Sequence, residues 1–113
     1  MPDDLRRLHD ILEIADELAG FLQGVDEAAF RKDRVLVRAT ERLLIILGEA
    51  AKQLSEGARS AIDQPWGKII RFRDRGVHVY ETLEPSTLFR VATQSAPALA
   101  AAIRAHLRLG KQA

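Results

Sequence analysis

A run of five large aliphatic residues, Leu43 to Leu47, constrains the fold of this chain more than any other feature. It lies within a pattern that predicts a helix from about Arg34 to Leu54. Five consecutive helical positions point in every direction around the helix axis, so a helix with a single buried face does not account for them. We therefore expect burial on more than one side, either in a loosely packed core of the chain itself or against a second copy of the chain.

A glycine, Gly48, follows this run directly. A glycine inside a helix costs about 1 kcal/mol relative to alanine, and it is typical of places where another backbone comes close. Gly48 therefore favours the second arrangement, in which two copies pair through this helix. In that arrangement Leu44 and Ile45 form part of the subunit contact.

The remaining sequence predicts more helices. Apolar residues spaced three and four apart from Leu5 to Leu22 predict a first helix, which Asp3 or Asp4 can cap and Gly24 can stop. A short link over 26–32, anchored by Phe30, comes next, and Asp33 then precedes the helix that contains the aliphatic run.

The second half of the chain follows the same pattern. We expect one helical turn over 58–62, a third helix beginning at Pro65 with Trp66 in the core, and a helical stretch that Pro97 divides into 86–94 and 97–109. The sequence shows neither sustained alternation of apolar and polar residues nor a hairpin-turn dipeptide. We predict an all-α, up-and-down bundle of four to five helices, forming one domain over residues 1–113.

Composition excludes several classes of protein. A formal net charge of +1 argues against a protein that coats nucleic acid through its overall charge, so any basic site must be local. The absence of cysteine excludes disulfides and thiolate metal sites, and the three histidines lack the spacing of metal ligands. The N-terminus lacks the apolar core of a signal peptide, and no run approaches the roughly 18 apolar residues of a membrane span. We expect a soluble, cytoplasmic protein.

The segment from residue 69 to 83, IIRFRDRGVHVYETL, concentrates arginines beside a histidine and a tyrosine. His78 can accept and donate a proton near neutral pH, because the unperturbed pKa of imidazole is about 6.5. Five residues of undistorted helix turn through about 500°, so Arg73 and His78 would point about 140° apart. Gly76 can end or loosen the helix and let His78 approach Arg73 and Tyr80.

An arginine beside an imidazole is suited to cleaving RNA without a metal. The guanidinium of Arg73 would hold the phosphate and stabilise its developing negative charge. His78 would deprotonate the ribose 2'-hydroxyl, which attacks the adjacent phosphate and leaves a 2',3'-cyclic end. One histidine cannot be base and acid in the same step, so a second His78 across the two-fold axis of a homodimer would supply the proton.

The stretch RDRGVHVY resembles the R-x(4-6)-H-x-Y motif of HepT-type toxins of the HEPN superfamily, and RLLIILGEAAKQL and PWGKIIRFRD resemble that family's second helix and the lead into its motif. The resemblance implies a homodimeric ribonuclease that needs no metal or other cofactor, with a composite active site at the dimer interface and Arg73 and His78 as catalytic residues. It also implies a partner, a minimal nucleotidyltransferase (MntA-like) antitoxin that transfers AMP onto Tyr80. An adenylate there would occupy the place of the substrate phosphate and silence the toxin.

Two positions depart from the family pattern. Asp74 stands where asparagine is common, and Gly76 stands where a larger apolar residue is usual. Asp74 would either repel the phosphate or orient Arg73 or His78, and we retain it as a candidate catalytic residue. These departures also leave open an alternative, a non-catalytic HEPN-like module that binds a nucleotide or docks the nucleotidyltransferase.

Three further charged residues have less definite roles. Arg71 and Arg75 form a candidate RNA-binding rim. Glu49 lies either on the polar edge of its helix or in a pair with a cation such as Arg73.

Overall fold

The structure, a computed structural model, describes residues 2–76 and 84–112. These residues form seven α-helices and one π-helical segment and contain no strand, which confirms the predicted all-α fold. The α-helices are α1 (Pro2–Leu22), α2 (Glu27–Lys32), α3 (Arg34–Lys52), α4 (Glu56–Ala61), α5 (Trp66–Gly76), α6 (Pro85–Arg90) and α7 (Ala96–Gln112). The π-helical segment, Val91–Ser95, joins α6 to α7.

The helices outnumber the predicted four to five because three of them, α2, α4 and α6, have only six residues each. Local capping explains two of these. The side chain of Asp26 accepts a hydrogen bond from the Ala29 N–H, and that of Ser55 accepts one from the Ala58 N–H. Each cap satisfies a backbone donor that would otherwise lack a partner, so a helix forms where a link or a single turn was expected.

Two of the predicted helix boundaries are confirmed. Gly24 has a φ of 75°, a left-handed conformation that glycine adopts without strain, and it follows α1. Asp33 precedes α3 and caps it, because its Oδ1 accepts a hydrogen bond from the Leu36 N–H at 3.0 Å.

The predicted capping of α1 by Asp3 or Asp4 is wrong. The helix begins at Pro2, which places both aspartates inside its first turn. Asp4 instead accepts hydrogen bonds from the backbone N–H of Ser55 at 2.9 Å and from its hydroxyl at 2.7 Å. These bonds lower the pKa of Asp4 and tie the start of α1 to the turn between α3 and α4.

The predicted break at Pro97 is also wrong. A proline inside an α-helix clashes with the carbonyl four residues earlier, which is that of Thr93. Here the chain winds as a π-helix just before the proline, and the Ala96 N–H donates to the Val91 carbonyl. The wider turn accommodates the ring, so the helical path continues from α6 into α7.

The aliphatic run of α3 is shared between the core and the surface. Leu44 and Leu47 are 2% and 3% exposed, whereas Leu43 and Ile45 are partly buried and Ile46 is 38% exposed. Leu44 therefore packs inside the chain, and its predicted place in a subunit contact is wrong. The large apolar side chains that are fully buried in the same core come from several helices: Ile11, Leu18, Phe30, Leu88, Leu99 and Ile103.

Within the described ranges, every helix is too short or too polar to cross a membrane.

Candidate functional site

Helix α5 carries the described part of the predicted site. Arg71, Arg73 and Asp74 lie on its C-terminal half, and Arg75 belongs to the same helix. His78 and Tyr80 lie outside the described residues.

The backbone of α5 comes close to that of α3 at Gly48. A Cβ atom at this position would lie 2.9 Å from the Ile69 carbonyl oxygen and 3.1 Å from both the backbone nitrogen and the Cβ of Arg73. The close approach predicted for Gly48 is thus present, but the neighbouring backbone belongs to the same chain rather than to a second copy. The absence of a side chain here allows the backbone of Arg73 to rest directly on α3.

Asp74 lies between two cations. Its Oδ1 is 3.2 Å from Nη1 of Arg73 and 3.4 Å from Nζ of Lys52, near the end of α3. The hydrogen bond from Arg73 and the nearby charge of Lys52 lower the pKa of Asp74, so its carboxylate is ionised at neutral pH. One carboxylate between two cations leaves this trio with a net positive charge.

The surroundings of Glu49 distinguish its two predicted roles. Glu49 is exposed and lines a groove between α1 and α3 together with Arg7, Asp10 and other residues. The carboxylate that pairs with Arg73 among the described residues is that of Asp74. Glu49 therefore lies on the polar edge of α3.

A second groove, of about 390 Å³, lies between α5 and the stretch formed by α6 and the π-helical segment. We call it the α5–α6 groove. Arg71, one of the two residues of the predicted basic rim, lines it, and Lys68 and Arg90 line it as well. The other lining residues are Pro65, Ile69, Phe72, Thr87, Val91 and Ser95.

Sequence reasoning missed Lys68, Arg90 and Lys52. Lys68, Arg71 and Arg75 are spaced three and four apart, which is the spacing of residues on one helix face. This spacing alone could have identified Lys68 as part of the basic rim. Arg90 and Lys52 come from other helices, and no local pattern connects them with α5.

Within the part of the chain that the structure describes, no group of three or more histidine, cysteine, aspartate or glutamate side chains is arranged to hold a metal ion.

Comparison with known proteins identifies the family. The model of a family described as Ribonuclease HepT-like matches residues 11–106, which run from α1 into α7. "Putative RNase TTE0752" of Caldanaerobacter subterraneus is 38% identical over 74 residues, which cover 65% of this chain and 66% of the relative. "Probable ribonuclease HepT" of Thermococcus cleftensis is 28% identical over 93 residues, which cover 81% and 84% of the two chains.

Another relative also has a name that describes a ribonuclease. "Putative RNase MJ1380" of Methanocaldococcus jannaschii is 26% identical over 91 residues, which cover 80% of this chain and 84% of the relative. No solved structure shows a significant match to this chain. The family match extends over most of the chain and includes the α3 and α5 segments that carry the sequence resemblance, so the chain belongs to the HepT-like family of the HEPN superfamily.

Proposed function

We propose that this chain is an endoribonuclease toxin that cleaves RNA through attack of the ribose 2'-hydroxyl, without a metal ion. The observation that carries the proposal is the family match over residues 11–106, together with relatives whose names describe ribonucleases. Arg73 and His78 are its catalytic residues.

The surroundings of Arg73 suit the role of a phosphate ligand. Its backbone rests against Gly48 of α3, which restricts where the base of the side chain can lie. Its side chain is 32% exposed, so the guanidinium remains accessible to a substrate. A planar guanidinium held in this way can bind a phosphate through two hydrogen bonds and stabilise the charge of the transition state.

Asp74 is a positioning residue in this proposal. Its carboxylate accepts a hydrogen bond from Nη1 of Arg73, which orients the guanidinium. The ammonium of Lys52 lies close to the same oxygen and offsets its negative charge. The carboxylate therefore repels an approaching phosphate less than an isolated aspartate would.

The proposed active site is composite, with one His78 acting as base and that of a second protomer acting as acid. The core positions of Leu44 and Leu47 leave Leu43, Ile45 and Ile46 as the members of the aliphatic run with surface accessible to a second copy. Control is proposed to come from an antitoxin that transfers AMP onto Tyr80.

A second candidate function is a non-catalytic module that docks a nucleotidyltransferase. The ion pair between Arg73 and Asp74 favours it, because a guanidinium that is bonded to a carboxylate has fewer donors for a phosphate.

Cleavage of a fluorescent RNA in excess EDTA tests the proposal. Wild-type protein should cleave it and leave 2',3'-cyclic phosphate ends, and His78→Ala should abolish cleavage without changing the thermal unfolding midpoint. His9→Ala, on the exposed side of α1, is the matched control and should cleave at the wild-type rate. Undiminished cleavage by His78→Ala, or a strict requirement for magnesium, would refute the mechanism, and an inert wild-type protein would favour the docking module.

A further inference from the structure

The α5–α6 groove combines features that fit one class of ligand, a nucleotide of single-stranded RNA. We propose that this groove binds a nucleotide that flanks the cleaved phosphate, with Lys68 and Arg90 as its phosphate ligands. The proposal rests on the proposed function, because it assigns a place to part of the same substrate. It adds two cations and an apolar surface to the site beyond the predicted rim of Arg71 and Arg75.

The charges around the groove favour an anionic ligand. Lys68, Arg71 and Arg90 line it from two different helices, and none of its described lining residues is acidic. The three cations are exposed, and none of them forms an ion pair with a carboxylate of the described residues. Three cations concentrated in a chain of net charge +1 create a local positive potential, which attracts a phosphate backbone.

The floor of the groove favours a base. Ile69, Phe72 and Val91 line it and are only partly buried, so they offer apolar surface to the flat face of a base. A small gap of about 20 Å³ is also lined by these three residues. The hydroxyls of Thr87 and Ser95 add groups that can hydrogen-bond to a base edge or a ribose.

The size of the groove favours a single nucleotide over a duplex. Its volume of about 390 Å³ falls within the range of about 300–1,000 Å³ typical of small-ligand sites. A base paired in a duplex cannot enter such a site without leaving its stack, whereas an unpaired base can.

The groove shares helix α5 with Arg73, the proposed phosphate ligand. Its two walls are α5, which carries Arg73, and α6, and these are the helices that flank the segment containing His78 and Tyr80. The wall opposite α5 includes the π-helical segment, and π-helical turns occur frequently at functional sites.

Binding of a fluorescein-labelled, 12-nucleotide single-stranded RNA of mixed sequence tests the inference. The measurements use His78→Ala protein so that the RNA stays intact, and they add Lys68→Gln or Arg90→Gln to it. Each addition should weaken binding by about tenfold, because each removes a charged phosphate ligand. Each should also make the dependence of log K on log salt less steep by about 0.7.

Arg108→Gln is the matched control. Arg108 is an exposed cation of α7 and lies 13 positions beyond Ser95, about 20 Å along the helix. Its substitution changes the net charge by the same amount and should alter binding by less than twofold. A 12-base-pair RNA duplex should bind more weakly than the single strand and should respond less to the groove substitutions.

Unchanged RNA affinity in both groove variants would overturn the inference. The inference would also fail if Arg108→Gln lost as much RNA affinity as the groove variants, or if the groove substitutions weakened duplex binding as much as single-strand binding. These results are distinct from failure of the proposed function. If wild-type protein cleaves RNA but the groove variants bind it normally, only the groove assignment fails. If wild-type protein cleaves no RNA yet the groove variants lose affinity, the proposed catalysis fails and the binding site stands.

Discussion

Replacing Gly48 with alanine tests the contact that supports Arg73. The added Cβ would lie 2.9 Å from the Ile69 carbonyl oxygen and 3.1 Å from the Arg73 nitrogen and Cβ. Ordinary van der Waals contact begins at 3.4 Å, so α5 must move away from α3 by roughly 0.3 to 0.5 Å. Two of the three contacts involve backbone atoms, so the strain cannot be relieved by rotating a flexible side chain.

Two opposing terms determine the effect on stability. Overpacking of a tight contact costs about 1–3 kcal/mol, whereas replacing glycine by alanine inside a helix gains about 1 kcal/mol. Because backbone atoms are involved, we expect a net loss of about 1–2 kcal/mol in the free energy of unfolding. The displacement of Arg73 should also lower RNA cleavage by roughly tenfold, given that a misplacement of about 1 Å can cost a hundredfold.

Urea denaturation and the EDTA-resistant cleavage assay measure the two effects. Gly20→Ala is the control, because Gly20 is also inside a helix but a Cβ there would have no neighbour within 4 Å. This control should gain roughly 0.5–1 kcal/mol in stability and keep full activity. If Gly48→Ala is stabilised as much as Gly20→Ala and cleaves RNA normally, the tight approach of α5 to α3 does not position Arg73.

Three other predictions concern different parts of the molecule. Thr40 is fully buried and its Oγ1 has no hydrogen-bond partner among the described residues. Thr40→Val should therefore raise the free energy of unfolding, measured by urea denaturation, by about 1 kcal/mol. A loss of stability would show that the hydroxyl has a partner. Asp74 has a lowered pKa because of its bonds to Arg73 and Lys52, so the stability that it contributes is present above pH 3.8 and disappears as the pH falls through its folded-state pKa. Asp74→Asn should therefore unfold more easily than wild type at pH 6 but equally easily at strongly acidic pH. A difference in stability that persists in acid would contradict this. Tyr80→Phe should remain active when the nucleotidyltransferase is co-expressed. Its intact mass should lack the added adenylate that wild type acquires. Full neutralisation of an active Tyr80→Phe protein would show instead that the antitoxin acts by masking the site.

The sequence by itself determined those features that depend on neighbouring residues. The periodicity of apolar residues predicted the long helices α1 and α3, and Asp33 and Gly24 marked helix boundaries that the structure confirms. Capping and helical periodicity act over three or four residues, so a short window of sequence contains their cause. The motif blocks likewise sufficed to identify the family, because they preserve residue types in a fixed order.

Local rules failed where a second interaction intervened within the same stretch. Pro97 predicted a helix break, but the π-helical turn before it accommodates the proline and the helical path continues. Asp4 had the residue type and position of a cap, but hydrogen bonds to Ser55, 51 residues away, engage its carboxylate.

Only the tertiary structure decided which surfaces meet. The aliphatic run and Gly48 indicated that α3 has close neighbours on several sides, yet the backbone against Gly48 is that of α5 in the same chain, and Leu44 belongs to the internal core. The pairing of Lys52 with Asp74 and the convergence of Arg90 with Lys68 also join different helices. Periodicity specifies which face of a helix is apolar or basic but carries no information about the element that covers it, because that choice depends on how all the helices pack together.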